Sequence, residues 1–482
     1  MRARAFQSTG IRPARSGGAA DAASIAAPYP HSPVPLRESR HRAARGQESL
    51  AQHRKAMPWP LVLLIILVPL PVSFTLGSTV LPPYRIFLTV MFLPCLFRWL
   101  GGKAGPVRVS DIALLLYCCW AALSLLVVNG PGAFIRPAGL ILVETMGAYL
   151  LARCYIRDAD DFLQVVRMLF ICVVCILPLA LIEAFTGRNI TRELFSWGFP
   201  TYSDVYMPPR LGLRRVQAGF NHPIHFGVFV GGLLACTHLA LGYGQTFARR
   251  WFRSGIVLFT AGLCLSSGPL TGIVGQIMLM GWNHVLRSFR LRWGLLAGII
   301  LSMYLFIIIF ANRSPSAIFI SYFAFDESSA WIRLLTWQYG TQSILDHPLF
   351  GVGYGPWNHP GWLTPSVDMY WIIDSLRFGI PAGLFLMTAF FSAGLAAGFK
   401  KGLDDRTCAY RFAYLVTMAG FFLAGWAVDF WNGVYVEFMF LLGSGMWILD
   451  VESPSPARMP SAPDTRPALA RAARGGYERR DR

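Results

Sequence analysis

Apolar segments long enough to cross a bilayer recur from Pro58 to Leu449, and this repetition constrains the fold more than any motif in the chain. A spanning helix needs about 20 mostly apolar residues to cover roughly 30 Å of hydrocarbon. About twelve such segments can be drawn. Of the 482 residues, 54% are hydrophobic and only 14% are charged, whereas a soluble chain carries about 25% charged residues. The chain is therefore expected to be a membrane protein.

The expected spans are approximately 59–76, 84–100, 111–128, 137–152, 163–184, 222–243, 254–267, 269–283, 293–311, 379–399, 411–428 and 431–449. The seventh and eighth are short. Between them "LSSGPLTG" has a Pro and two Gly, where a continuous helix needs none. Lys and Arg in short connecting loops favour the cytoplasmic side. Every second loop is basic: Arg98, Lys103 and Arg108, then Arg153 and Arg157, then Arg249, Arg250 and Arg253, then Arg287, Arg290 and Arg292, then Lys400, Lys401 and Arg406. The alternate short loops hold Arg85 or Arg136 singly, or nothing. This alternation keeps spans seven and eight separate and makes both chain ends cytoplasmic.

The same orientation leaves two long loops outside, about 185–221 and 312–378. Loops beyond roughly 12–15 residues are usually functional or disordered. These are rich in aromatics, which a disordered segment would lack, so they are expected to fold back over the membrane as a cap. The domain between residues 57 and 450 is flanked by a basic tail, 1–56, and a basic Pro-rich tail, 451–482. Both tails read as disordered and attracted to anionic lipid. The Arg-rich N-terminus also has the composition of a transit peptide, and Met57 is an alternative start. All nine cysteines fall in spans or on the cytoplasmic side, so no disulfide is expected.

The first outer loop breaks the charge rule. It carries Arg188, Arg192, Arg210, Arg214 and Arg215 against Glu193 and Asp204, and neither outer loop contains a lysine. Arginines at a helix end can simply snorkel and pair. They can also form an anion site, because the guanidinium is a rigid fork matched to phosphate oxygens and stays charged. In the second loop, Arg333 follows Trp331 in a helix-like stretch with apolar Ile332, Leu335, Tyr339 and Ile344, suited to lie along the membrane surface. "HPLFGVGYG" then reads as a tight turn that lets backbone approach a neighbour or ligand. Trp357, Trp362, Tyr370 and Trp371 are either interfacial anchors or sugar platforms.

The order of these features resembles the O-antigen ligase and O-antigen polymerase superfamily, and most closely its exopolysaccharide polymerase branch. An Arg-rich outer loop is followed by "RVQAGFNHPIHFG" opening a span, then by "R…W…HPLFGVGYG" before "DMYW…LRFGIPAG". The likeness covers roughly residues 59–449, including "LPPYRI" and "SDIALLLYCCWAALSLLV". Each motif is short and degenerate; their order, spacing and shared outer side carry the match. The resemblance implies an all-α bundle in the bacterial cytoplasmic membrane, with two long, partly helical periplasmic loops. It implies a glycosyltransferase that needs neither metal nor cofactor. Its donor would be a polyprenyl (undecaprenyl) pyrophosphate-linked oligosaccharide, and its acceptor a glycan hydroxyl for a polymerase or a lipid A core for a ligase. A flippase, a chain-length regulator and export proteins would be its partners, and nucleic acid would not.

By the same resemblance Arg215 would hold the pyrophosphate, with Arg210 and Arg214 nearby and Arg333 as the second-loop arginine. Arginines fixed where a leaving pyrophosphate gains charge stabilise the transition state more than the ground state. Asn221 and His222 in the first motif, His225 one turn on, and Arg377 in "LRFGIPAG" complete the substrate-binding set with His359. Many ligases of this family end the second loop with a His-Asn pair; here the region reads "SVDMYW", which puts Asp368 in the place of the base. Burial in a lipid-facing cavity would suit Asp368 to that role, and capping the following helix is the alternative. His359 is the reserve base. His222 and His225 have spacing that a metal could use, but no outer Cys or carboxylate pair completes a ligand set. Glu144, Glu183, Asp429 and Glu437 lie in or beside spans, where ionisable groups suggest function. Glu144 keeps open a secondary transporter with a broken helix at "SSGPLTG".

Overall fold

The computed structural model describes residues 56–77, 79–311, 318 and 327–452. The expectations for the tails, and for residues 312–317 and 319–326 of the second outer loop, lie outside the described residues. The described chain is mostly helical, and nine of its helices are long and apolar enough to cross a membrane: Pro83–Leu100, Val109–Asn129, Pro131–Tyr155, Ala159–Thr186, Pro223–Ala240, Arg292–Phe310, Ile380–Phe399, Asp405–Ala424 and Gly433–Asp450. This is a multi-pass membrane protein.

Nine such helices replace the twelve anticipated, and the three shortfalls have local causes. Trp59–Leu67 is only nine residues long, because Pro69 and Pro71 follow and cannot continue a helix; the chain then forms an antiparallel hairpin, Phe74–Leu76 with Thr79–Leu81. Phe247–Gly262 has 16 residues, and Arg249, Arg250 and Arg253 occupy its first half. Ser267–Val285 is long enough, but Gly268, Gly272, Gly275, Gln276, Asn283 and His284 dilute its apolar character. The last two helices are separate, as the loop charges require, with the break at residues 263–266.

The basic loops gather at one end of the bundle. Arg108 and Arg157 both pair with Asp450, at 2.6 and 2.9 Å, Arg406 pairs with Asp160, and Lys400 Nζ donates to the Leu449 carbonyl at 3.0 Å. Tyr243 packs on Tyr410 and Trp293 on Phe412. Arg153 is no loop charge: it is buried within its helix and paired with Asp111 at 2.9 Å. The long loops meet the other end. Val109–Asn129 starts beside Arg108 and ends where Asn129 abuts Gly353, and Ala159–Thr186 starts beside Asp160 and ends with Glu183 against Gln217.

Aromatic side chains fill the core around Phe438, including Phe421, Phe430, Tyr370, Trp371 and Phe390. A smaller core joins the Glu327–Asp346 helix to Tyr370–Phe378 through Leu335, Ile344, Ile372 and Leu376. The anticipated helix around Arg333 therefore exists, but Leu335 and Ile344 face protein instead of lipid. Arg292–Phe310 is the opposite case, since none of its residues is buried.

Candidate functional site

The arginine-rich stretch is positioned through its backbone. Glu183 accepts the amides of Gln217 and Ala218 at 3.0 and 2.9 Å, one on each carboxylate oxygen, and Asn189 Nδ2 donates to the Ala218 carbonyl at 2.9 Å. A Cβ on Gly219 would run into the Pro69 carbonyl. Just upstream, Arg210 and Leu213 exchange both backbone hydrogen bonds at 3.0 Å, around Leu211 and Gly212 at φ 53° and 74°. Successive positive φ angles of this kind make a two-residue reverse turn. It brings Arg210 to the same cavity as Arg215.

The broken apolar stretch at residues 263–266 receives both side chains. Arg215 donates from Nε to the Cys264 carbonyl at 3.4 Å and from Nη2 to Ser266 Oγ at 3.3 Å. Arg210 Nη1 donates to the Leu265 carbonyl at 2.9 Å. Ser266 and Ser267, at the N-terminus of the next helix, line the space in front of them.

That space is a cavity of about 380 Å³ lined by Arg210, Arg215, His222, His225, Arg333 and Asp368, with Asp429 and Trp431 opposite. Burial pulls the guanidinium pKa of Arg215 down, and Arg210 adds to the effect. Burial also pulls down that of Arg333, which Arg210 repels and Asp368 supports. Arg210 thus adds to the cost of holding charge on both Arg215 and Arg333, and a dianion in the shared cavity would relieve it.

His222 caps the Pro223–Ala240 helix, its Nδ1 accepting the Ile224 amide at 3.2 Å. Burial, then the nearby Arg215, push its pKa down to about 4, so the ring is neutral with its proton on Nε2. His225 Nε2 donates to the Asp429 carbonyl at 3.2 Å, and its ring stands edge-on to Trp431 at 4.3 Å. Two helix N-termini, at His222 and Ser266, thus converge on the arginines, which suits anion binding.

Asp368 departs from expectation. It is exposed rather than buried, its Oδ1 accepts from Ser366 Oγ at 2.7 Å, and the helix that follows has Met369 at its N-cap with no side-chain cap. It is not the cap, and the burial on which its role as base depended is missing. Four other residues fall outside this cavity. Arg214 lines an adjoining cavity of about 310 Å³ and is held by Asp204 at 2.7 and 3.0 Å and by Glu183 at 3.6 Å. Burial alone would raise Asp204, but the Arg214 and Arg192 guanidiniums hold its pKa below the usual value. Asn221 Oδ1 accepts from Asn432 Nδ2 at 3.4 Å. His359 packs on Trp357 and donates from Nδ1 to the Pro360 carbonyl at 2.9 Å. Arg377 lines a different cavity, its guanidinium 5.4 Å above the Tyr354 ring. The glycine turn sits against its backbone, Val352 and Gly353 amides donating to Leu376 and Arg377 carbonyls at 2.9 and 2.8 Å.

The in-membrane acids divide in the same way. Glu144, on a π-turn, is paired with Arg85 at 2.8 Å, while Glu437 is buried with neither oxygen hydrogen-bonded among the described residues. Ser266, Ser267 and Trp431 were not among the anticipated site residues, although a Ser pair before Gly-Pro is itself a helix-start signal; Asp429 was anticipated only as an ionisable group beside a span. Among the described residues, no three His, Cys, Asp or Glu side chains are grouped to hold a metal ion. No family model matches the chain, and no curated protein matches it.

Proposed function

We propose that this protein is a membrane glycosyltransferase that takes glycan from a polyprenyl-pyrophosphate carrier and transfers it to a sugar hydroxyl, acting as a polysaccharide polymerase on the outer face of the cytoplasmic membrane. The observation that carries this reading is the convergence of Arg210, Arg215 and Arg333, from two loops far apart in sequence, on one cavity. The arginines would bind the pyrophosphate bidentately, without a metal, and the charge arriving on the leaving oxygen would strengthen those contacts. His222 Nε2–H and the Ser266–Ser267 helix start add neutral donors, so the site need not rely on charge alone. The basic end of the bundle would then be cytoplasmic, by the loop-charge rule.

Reconstitution of the purified full chain with a polyprenyl-pyrophosphate-linked repeat unit, followed by sizing of the products, tests this. A ladder of longer lipid-linked glycans supports the polymerase. Transfer only when a lipid A core is supplied makes the protein a ligase of the same chemistry, and no transfer to either acceptor refutes the reading.

A further inference from the structure

One wall of the arginine cavity has a second cavity behind it. Asp429 and Trp431 line both, and the second, of about 350 Å³, continues past Asp374, Arg377, Asn432 and Tyr354. The volume lies in the range of small-molecule pockets, about 300–1,000 Å³. Its chemistry differs from the first. Arg85 is committed to Glu144 at 2.8 Å, and Arg377 is the charge that acts most strongly on Asp374. No excess of cations remains to attract a phosphate. Aromatic rings are abundant, with Tyr117, Tyr354, Tyr370 and Tyr435 in the lining.

Two polar groups here are unsatisfied. Asp374 is 6% exposed and Tyr370 1% exposed, yet Asp374 Oδ2 and the Tyr370 hydroxyl have no hydrogen-bond partner among the described residues. A buried polar atom without a partner is unfavourable until something supplies one. Sugar hydroxyls donate to carboxylates and phenols, and the C–H faces of a sugar ring lie against aromatic rings. The lining therefore fits a neutral, polyhydroxylated ligand.

We propose that this second cavity binds the acceptor sugar and that Asp429, in the shared wall, is the base that takes the proton of the attacking hydroxyl. The inference rests on the pyrophosphate reading of the first cavity. The acceptor oxygen forms a bond to the anomeric carbon of the donor. The bond from that carbon to the pyrophosphate oxygen breaks, and its electron pair stays on the oxygen facing Arg215 and Arg333. The hydroxyl proton passes to the Asp429 carboxylate. Burial raises Asp429 to about 8; Arg377 opposes this, and the Asp374 and Asp368 charges add to it. A base in this range is well matched to neutral or mildly alkaline conditions.

The test uses the full chain in lipid nanodiscs and two probes. One is the polyprenyl-pyrophosphate-linked repeat unit; the other is the same glycan cut from its lipid by mild acid and tagged with a fluorophore. Wild type should bind the free glycan without donor present. Asp374→Asn and Tyr354→Leu, on different elements, should each weaken that binding by about tenfold or more while donor binding persists. Arg215→Ala should do the reverse. Asp429→Asn should bind both probes yet lose about 100-fold or more in turnover. Persistent donor binding and monodisperse elution together exclude misfolding of the variants. Unchanged free-glycan binding by both cavity variants would overturn the acceptor site and leave the pyrophosphate reading standing. Unchanged donor binding by Arg215→Ala would remove that reading and this inference with it. Full turnover by Asp429→Asn would remove Asp429 as the base.

Discussion

His225 Nε2 lies 3.2 Å from the main-chain oxygen of Asp429, so the helix after the arginine-rich loop is fastened to the segment joining the last two spanning helices. Trp431 closes on the same imidazole at 4.3 Å. The position of the acid is thus set by the element that also presents His222 to the arginines.

Arg215→Ala and Arg333→Ala should each reduce glycan transfer by about 10²–10³-fold, the range for losing one preorganised donor, with protein abundance unchanged. Lysine at either position should restore little, since it keeps the charge but not the fork. Product yield against immunoblotted protein checks this; normal transfer by either alanine variant refutes that arginine's phosphate role.

Transfer should rise with pH through about 8, the value to which burial raises Asp429. The sign follows from the role: below that pH the carboxyl is protonated and cannot accept a proton. The groups acting on its carboxyl are Arg377 and Asp374 from the Tyr370–Phe378 helix, Asp368 just before it, and the Phe430 amide; His225 bonds only its main-chain oxygen, and Arg85 and Glu144 share its second cavity. Initial rates across neutral and alkaline pH should lose this limb in Asp429→Asn, and a limb that survives the substitution belongs to another group.

Glu183→Ala should destabilise the protein without touching a reacting group. It strands two amides, and each unsatisfied buried group costs about 1–3 kcal/mol. Gly219→Ala should be worse, because its Cβ has no room against Pro69, whereas Gly198→Ala meets nothing and should be neutral. Thermal unfolding in one detergent would rank the three variants; a neutral Gly219→Ala would mean this segment packs differently.

Several of these residues were legible before any coordinates. Arg210, Arg215 and Arg333 stood out because outer loops that avoid lysine yet collect arginine need a reason. Asp429 stood out only as an ionisable group beside a span, not as a partner of the arginines, since only the tertiary fold carries it to them. Twelve apolar segments become nine spanning helices among the described residues because apolar content registers neither the two prolines after Leu67 nor the length Phe247–Gly262 attains. The glycines and polar residues of Ser267–Val285 dilute a helix that is long enough. An amphipathic pattern likewise does not distinguish lipid from protein, and Leu335 and Ile344 pack on the Tyr370–Phe378 helix. The π-turns at Val143–Gly147 and Cys236–Ala240 carry no pattern of apolar or turn residues that distinguishes them from ordinary helix.

A chelator should leave transfer intact, because the proposed pyrophosphate clamp is built from guanidiniums, which carry fixed charge. Loss of activity on chelation, restored by one metal, would overturn the metal-independent mechanism.

The Arg292–Phe310 helix has no residue buried and, beyond the contacts of Arg292 and Trp293 at its start, answers to hydrocarbon. Exchanges among Leu, Ile, Val and Phe should pass there unnoticed, whereas one charge at mid-depth carries a penalty of about 2.5–3.5 kcal/mol. Its sequence is therefore free to drift within a single physical class. The same freedom makes it the natural place for a spectroscopic label that reports on the bilayer while the chemistry proceeds elsewhere.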